Sequence, residues 1–96
     1  MREYEIMLIY SSQLDEEALE AAIQRTTDLI ANNGGEVEKV DKWGRRRFAY
    51  EINDMTEGFY VVIDFKAETG ATAEVERILK ITEEVVRYLL VRRDEE

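Results

Sequence analysis

Glu3-Tyr4-Glu5-Ile6-Met7-Leu8-Ile9-Tyr10 opens as an alternation of charged and apolar side chains and closes as an unbroken apolar run. That is the pattern of a strand central in a sheet, with Tyr4, Ile6, Leu8 and Tyr10 on one face and Glu3, Glu5, Met7 and Ile9 on the other. Ser11, Ser12 and Gln13 end it, and the period then changes. Asp15 is the expected N-cap of a helix, because its carboxylate can accept a free amide of the first turn. Glu16 and Glu17 follow where the helix dipole favours negative charge. Leu19, Ala22, Ile23, Thr26, Leu29 and Ile30 recur at intervals of three and four and form one apolar stripe, with Glu20, Gln24, Arg25 and Asp28 off it. Asn32, Asn33, Gly34 and Gly35 close the helix as a C-terminal cap.

From Glu36 to Asn53 the chain reads as extended. Val37 and Val40 are three apart, so either a bulge or bend lies near Val40 or one face changes, and Gly44 is another candidate bend. Asn53 to Gly58 has the composition of a turn, and Phe59 to Phe65 reads as a buried strand. Thr69 and Gly70 introduce a second helix, with Val75, Ile78, Leu79 and Thr82 inward and Glu74, Glu76, Arg77 and Lys80 outward. Thr82 to Glu84 form the joint to a last strand, Val85 to Val91. The order strand, helix, strand, strand, helix, strand, with right-handed crossovers, predicts an α+β, ferredoxin-like βαββαβ fold: a four-stranded antiparallel sheet with two helices on one face. The other sheet face stays open to solvent or a partner. Residues 1–93 are expected to form one domain and 94–96 a short acidic tail that frays.

A chain of 96 residues has apolar material for one core, and a 45% hydrophobic fraction is that of a globular protein. The absence of Cys and His removes disulfides, thiol nucleophiles, thiolate metal sites and the usual general base. No apolar run reaches the roughly 18 residues a membrane span needs, and the N-terminus lacks a secretory pattern, so a cytoplasmic protein is expected. Twenty-two acidic against 13 basic residues leave a net charge of −9, which argues against diffuse binding of polyanions by the whole surface and favours a basic partner.

The cations are not spread evenly. Lys39-Val40-Asp41-Lys42-Trp43-Gly44-Arg45-Arg46-Arg47 holds five of the 13 basic residues in nine positions. Arg supplies a bidentate phosphate fork and a plane that lies on a base, and Trp43 and Tyr50 supply flat surfaces for stacking. In an extended segment Arg45 and Arg47 point one way and Arg46 the other. The bland alternative is a solvated, charge-laced strand. Arg2, Arg87, Arg92 and Arg93 lie at ends of the first and last strands. Glu3, Glu5 and Asp64 offer no established pair for acid–base or metal chemistry, and Asn33-Gly34-Gly35 follows a helix instead of preceding one, so it reads as a cap and not a phosphate loop. Tyr60 and Val62, opposite in face to Val61, Ile63 and Phe65, leave an aromatic and an aliphatic group on the open sheet face. The aromatic signature of single-strand RNA platforms is missing there, which favours protein contact.

Met1-Arg2-Glu3-Tyr4-Glu5-Ile6, Trp43-Gly44-Arg45-Arg46-Arg47-Phe48-Ala49-Tyr50 with Ile52-Asn53, Gly58-Phe59-Tyr60 and Val86-Arg87-Tyr88-Leu89-Leu90-Val91 together resemble the bacterial small-subunit ribosomal protein S-six family along essentially the whole chain. The resemblance implies a structural protein of the 30S subunit, in the cytoplasm, without catalytic activity, cofactor or small-molecule substrate. It implies binding to the central domain of 16S ribosomal RNA as a heterodimer with the small basic protein S-eighteen. RNA contacts would map onto Arg2, Trp43, Arg45, Arg46, Arg47, Tyr50, Arg87 and Arg92; Tyr60 and Val62, from their place on the open sheet face, are the expected contacts to the protein partner. One position departs from the pattern: the family commonly has Pro after the Ala-Tyr pair, where this chain has Glu51. The competing expectation, from fold alone, is a regulatory module of ferredoxin-like fold that binds a small molecule and dimerises through its sheet. An acyl-phosphate hydrolase of this fold comes third.

Overall fold

The computed structural model describes residues 1–52 and 55–93. The elements follow the order β1 (Arg2–Ser11), α1 (Glu16–Asn32), β2 (Glu36–Ile52), β3 (Met55–Ala67), α2 (Ala71–Lys80) and β4 (Val85–Arg92). All strand pairs are antiparallel, and the sheet order is β2-β3-β1-β4. This is the βαββαβ ferredoxin-like arrangement expected from the element order. β1 lies between β3 and β4, which is why its apolar run has no polar break. Ile6 and Leu8 are wholly buried, as are Ile63 on β3 and, nearly, Val61 and Phe65. With Ala22, Ile23 and Ile30 of α1 and Val75 and Leu79 of α2 they form one core beneath the helices.

Asp15 caps α1 as expected, its Oδ1 accepting the Ala18 amide at 2.7 Å. Asp15→Ala removes that acceptor from an exposed cap, so the unfolding free energy is expected to fall by about 1 kcal/mol, read as a shift of the urea midpoint at constant slope. At the other end, the Gly34 and Gly35 amides donate to the carbonyls of Ala31 and Ile30, confirming the glycine pair as a cap. One polar pair is built into the core: the Tyr10 hydroxyl lies 2.6 Å from Thr26 Oγ1. Thr26 spends its single proton on the Ala22 carbonyl, so Tyr10 is the donor. Burial pushes the Tyr10 phenol up to about 12, only partly offset by the Thr26 bond, and keeps it in the form that donates.

The middle of the chain departs from the sequence expectation in one respect. β3 begins at Met55, not at Phe59. Of the turn read over 53–58, residues 53 and 54 lie outside the described residues, and Met55 to Gly58 are strand. Their polar composition suggested a turn, but β2 runs on to Ile52 and recruits them as pairing partners, with Arg46 opposite Gly58, Arg47 opposite Glu57 and Ile52 opposite Met55. The expected irregularities are both present in β2. The register shifts between Val37 and Lys39, which places both Val37 and Val40 opposite helix-facing residues of β3, and again between Lys42 and Gly44. Gly44 there has φ +84, the left-handed conformation that a bulge of this type requires and that a side chain disfavours. The acidic tail at 94–96 also lies outside the described residues.

Candidate nucleic-acid interface

The register decides which of the candidate cations can act together. Arg45 and Arg47 oppose Phe59 and Glu57, and Arg46 opposes Gly58, so the three guanidinium groups leave the hairpin of β2 and β3 on alternate faces, as the extended reading required. They are not equivalent. The Arg45 guanidinium carbon lies 5.1 Å from the centroid of the Phe59 ring, and its Nη1 is 3.9 Å from Glu57 Oε2. A cation over an aromatic face is held by the ring quadrupole, so Arg45 is positioned internally while its side chain stays about half exposed. Arg46 and Arg47 are exposed, and neither makes an ion pair among the described residues. Of the three arginines they are the two that no group of the described chain holds in place.

The open face of the hairpin adds an aromatic cluster. Trp43 stacks on Tyr60 with ring centroids 6.5 Å apart and planes 4° from parallel, and Phe48 meets the same ring tilted, at 6.2 Å. The bulge before Gly44 turns Trp43 onto this face. There its indole Nε1 donates to Asp41 Oδ2 at 3.3 Å, which fixes the ring while 46% of the residue remains accessible. Tyr50 is exposed further along β2. Phe48 was not singled out from the sequence. Its position two residues beyond Arg46 was the available signal, because even positions after the bulge share one face.

Arg87 opposes Ile9, which opposes Tyr60, so Arg87 stands in the same row of the open face, two strands away from the aromatic cluster. Arg2 and Arg92 do not join it. Arg2 opposes Ala67, and Arg92 opposes Tyr4. They sit towards the opposite end of the sheet, Arg2 about 23 Å and Arg92 about 17 Å from the Tyr60 row at the usual rise per strand residue. The sequence-predicted set therefore divides into a hairpin group (Trp43, Arg45, Arg46, Arg47, Tyr50), an isolated Arg87, and a distant pair.

Tyr60 and Val62 both lie on the open face. Tyr60 is half-buried beneath its aromatic neighbours, and Val62 is only 7% exposed. The accessible apolar surface beside them comes from Leu89 and Val91 on β4, 58% and 45% exposed. By register, Leu89 is joined to Val62 through Met7. An apolar strip thus crosses the open face from β4 towards Trp43. The sequence alone did not show this, since it needs the strand order.

Among the described residues there is no cluster of three metal-ligating side chains. A groove of about 310 Å³ opens between α1 and α2 over Tyr10, Ala22 and Leu79. Within it Tyr10 pairs with Thr26 and Arg25 with Glu84, and the Gly34-Gly35 pair does not line it. No helix among the described residues is long and apolar enough to cross a membrane.

Residues 3–92 match the family model described as ribosomal protein S6. The small ribosomal subunit protein bS6 of Carboxydothermus hydrogenoformans is 47% identical over 94 residues, covering 98% of both chains. That of Exiguobacterium sibiricum is 48% identical over 95 residues, covering 99% of each. The crystal structure of 30S ribosomal protein S6 from Thermotoga maritima superposes with a TM-score of 0.92 at 35% identity, over 96% of this chain and 87% of that one. A match along the whole domain, in sequence and in fold, places the chain in the ribosomal protein S6 family.

Proposed function

We propose that the protein is a structural constituent of the small ribosomal subunit that binds the central domain of 16S ribosomal RNA together with the basic protein S-eighteen. It has no catalytic role in this reading. The observation that carries it is the hairpin group: exposed Arg46 on the same open face as the stacked Trp43–Tyr60 pair, with exposed Arg47 on the other face of the hairpin, on a chain whose net charge of −9 would otherwise repel a polyanion. Guanidinium forks take phosphate, and the indole face takes an unpaired base. The accessible apolar strip of Leu89, Val91 and Trp43 suits a protein partner, and a basic partner offsets the acidic surface of the rest of the chain. Arg87 and Tyr60 sit where the two surfaces would meet. Arg2 and Arg92 contact RNA only if the RNA or the partner spans the sheet.

Filter-binding titrations against central-domain RNA, with S-eighteen present, test the assignment. Replacing Arg45, Arg46 and Arg47 with Ala is expected to weaken binding about tenfold at moderate salt. It should also lower the slope of log affinity against log salt by about two, one for each accessible phosphate contact. Arg45→Ala alone should change the slope least, because Glu57 and Phe59 already hold that side chain. An unchanged slope in the triple variant would remove the hairpin from the RNA interface.

A further inference from the structure

The open face contains one carboxylate that its own chain leaves incompletely partnered. Asp64 stands in mid-β3, opposite Glu5 of β1 on one side and Lys39 of β2 on the other. Its Oδ1 is shut off from solvent and has no hydrogen-bond partner among the described residues. A buried carboxylate oxygen without a donor is costly. The other oxygen is met by Arg93 Nη1 at 3.4 Å, and Arg93 Nε lies 3.8 Å from Glu5 Oε1. Both contacts are long against the roughly 2.7–2.9 Å of a well-made charge-assisted hydrogen bond. Arg93 lies just past β4, where its backbone amide is fixed by the Glu3 carbonyl but its side chain is half exposed. Lys39 is exposed and makes no ion pair with Asp64. Val62 lies two residues before Asp64 on the same face of β3, and Val91 of β4 opposes Glu5 in the same row, so the carboxylate pair borders the apolar strip.

Resting on the reading of the open face as the surface for a basic protein, we infer that Asp64, with Glu5 beside it, is the anchor for a cationic side chain of that partner, and that Arg93 occupies the place of this side chain in the free chain. Two facing carboxylates and one loosely held guanidinium leave the group short of positive charge. An arriving Arg or Lys, delivered by a partner that covers the apolar strip, meets both carboxylates in a site from which water is excluded. Charge pairs are strongest under those conditions. Arg93 then swings away, at little cost to the sheet, because only its side chain moves.

The test uses the full chain and purified S-eighteen, titrated calorimetrically at several potassium chloride concentrations. Asp64→Asn keeps the shape of the side chain and is expected to bind at least tenfold more weakly, with a flatter salt dependence. Glu5→Gln should repeat a smaller loss. Arg93→Ala, which removes the competitor, is expected to bind as tightly as wild type or a few-fold more tightly. A purely structural role for the Asp64–Arg93 pair would not produce that result. Circular dichroism at the assay temperature establishes that each variant is folded. Wild-type binding with Asp64→Asn unchanged would overturn the anchor alone. Arg93→Ala as weak as Asp64→Asn would overturn the displacement of Arg93. No binding by the wild-type chain would overturn the partner reading and the anchor with it.

Discussion

Leu8→Ala is expected to lower the unfolding free energy by about 3–4 kcal/mol and the melting temperature by about 15 °C or more. Leu8 is wholly buried on the central strand, opposite Val61 of β3 and Tyr88 of β4, so truncation opens a cavity that three strands enclose and none can collapse into. The loss is a large part of the roughly 5–15 kcal/mol that a small domain has in total. Its neighbour Met7 points to the open face and is half-buried. Met7→Ala should therefore cost only about 1 kcal/mol. Urea titrations of the two variants, with slopes that stay at the wild-type value, check the face assignment of β1 directly. Equal losses would mean that the open face is packed like the core.

Gly58→Ala is the second large effect, and it joins stability to the interface. A Cβ at Gly58 would stand 2.6 Å from Ile9 Cγ2, 2.9 Å from the Tyr10 carbonyl oxygen and 3.1 Å from Phe48 Cζ. The Ile9 methyl is on a stiff branched side chain and the carbonyl belongs to the backbone of β1, so the strands must part. Overpacking of this kind costs about 2–3 kcal/mol. Gly58 opposes Arg46, so the same displacement shifts the exposed cation and the Phe48–Tyr60 contact. The variant is expected to lose affinity for central-domain RNA even at temperatures where circular dichroism shows it fully folded. Full RNA affinity in the folded variant would detach the hairpin geometry from recognition.

Much of the fold was legible because its core obeys two simple periods. β1 announced a central strand through Ile6 to Tyr10, and α1 announced both its ends through Asp15 and the Asn-Gly cap. The first four residues of β3 were not legible. Met55-Thr56-Glu57-Gly58 has no apolar alternation in its sequence, and what makes it strand is the pairing of Met55, Glu57 and Gly58 with β2. The site divided in the same way. The run Arg45 to Arg47 is a local fact and could be read, and so could its alternation. That Arg45 is occupied by Phe59 and Glu57 depends on pairing register. The separation of Arg2 and Arg92 from the hairpin, and the meeting of Asp64 with Arg93, depend on strand order, which no local spacing contains.

The place of β1 also bears on how the chain acquires its shape. Tyr4 faces Arg92, 88 positions later, so the sheet's middle strand is made first and flanked on one side by the strand made last. At ordinary rates of translation that interval lasts roughly 5–20 s. For that time Ile6, Leu8 and Tyr10 have no finished pocket, and closure of the sheet waits until β4 has been made.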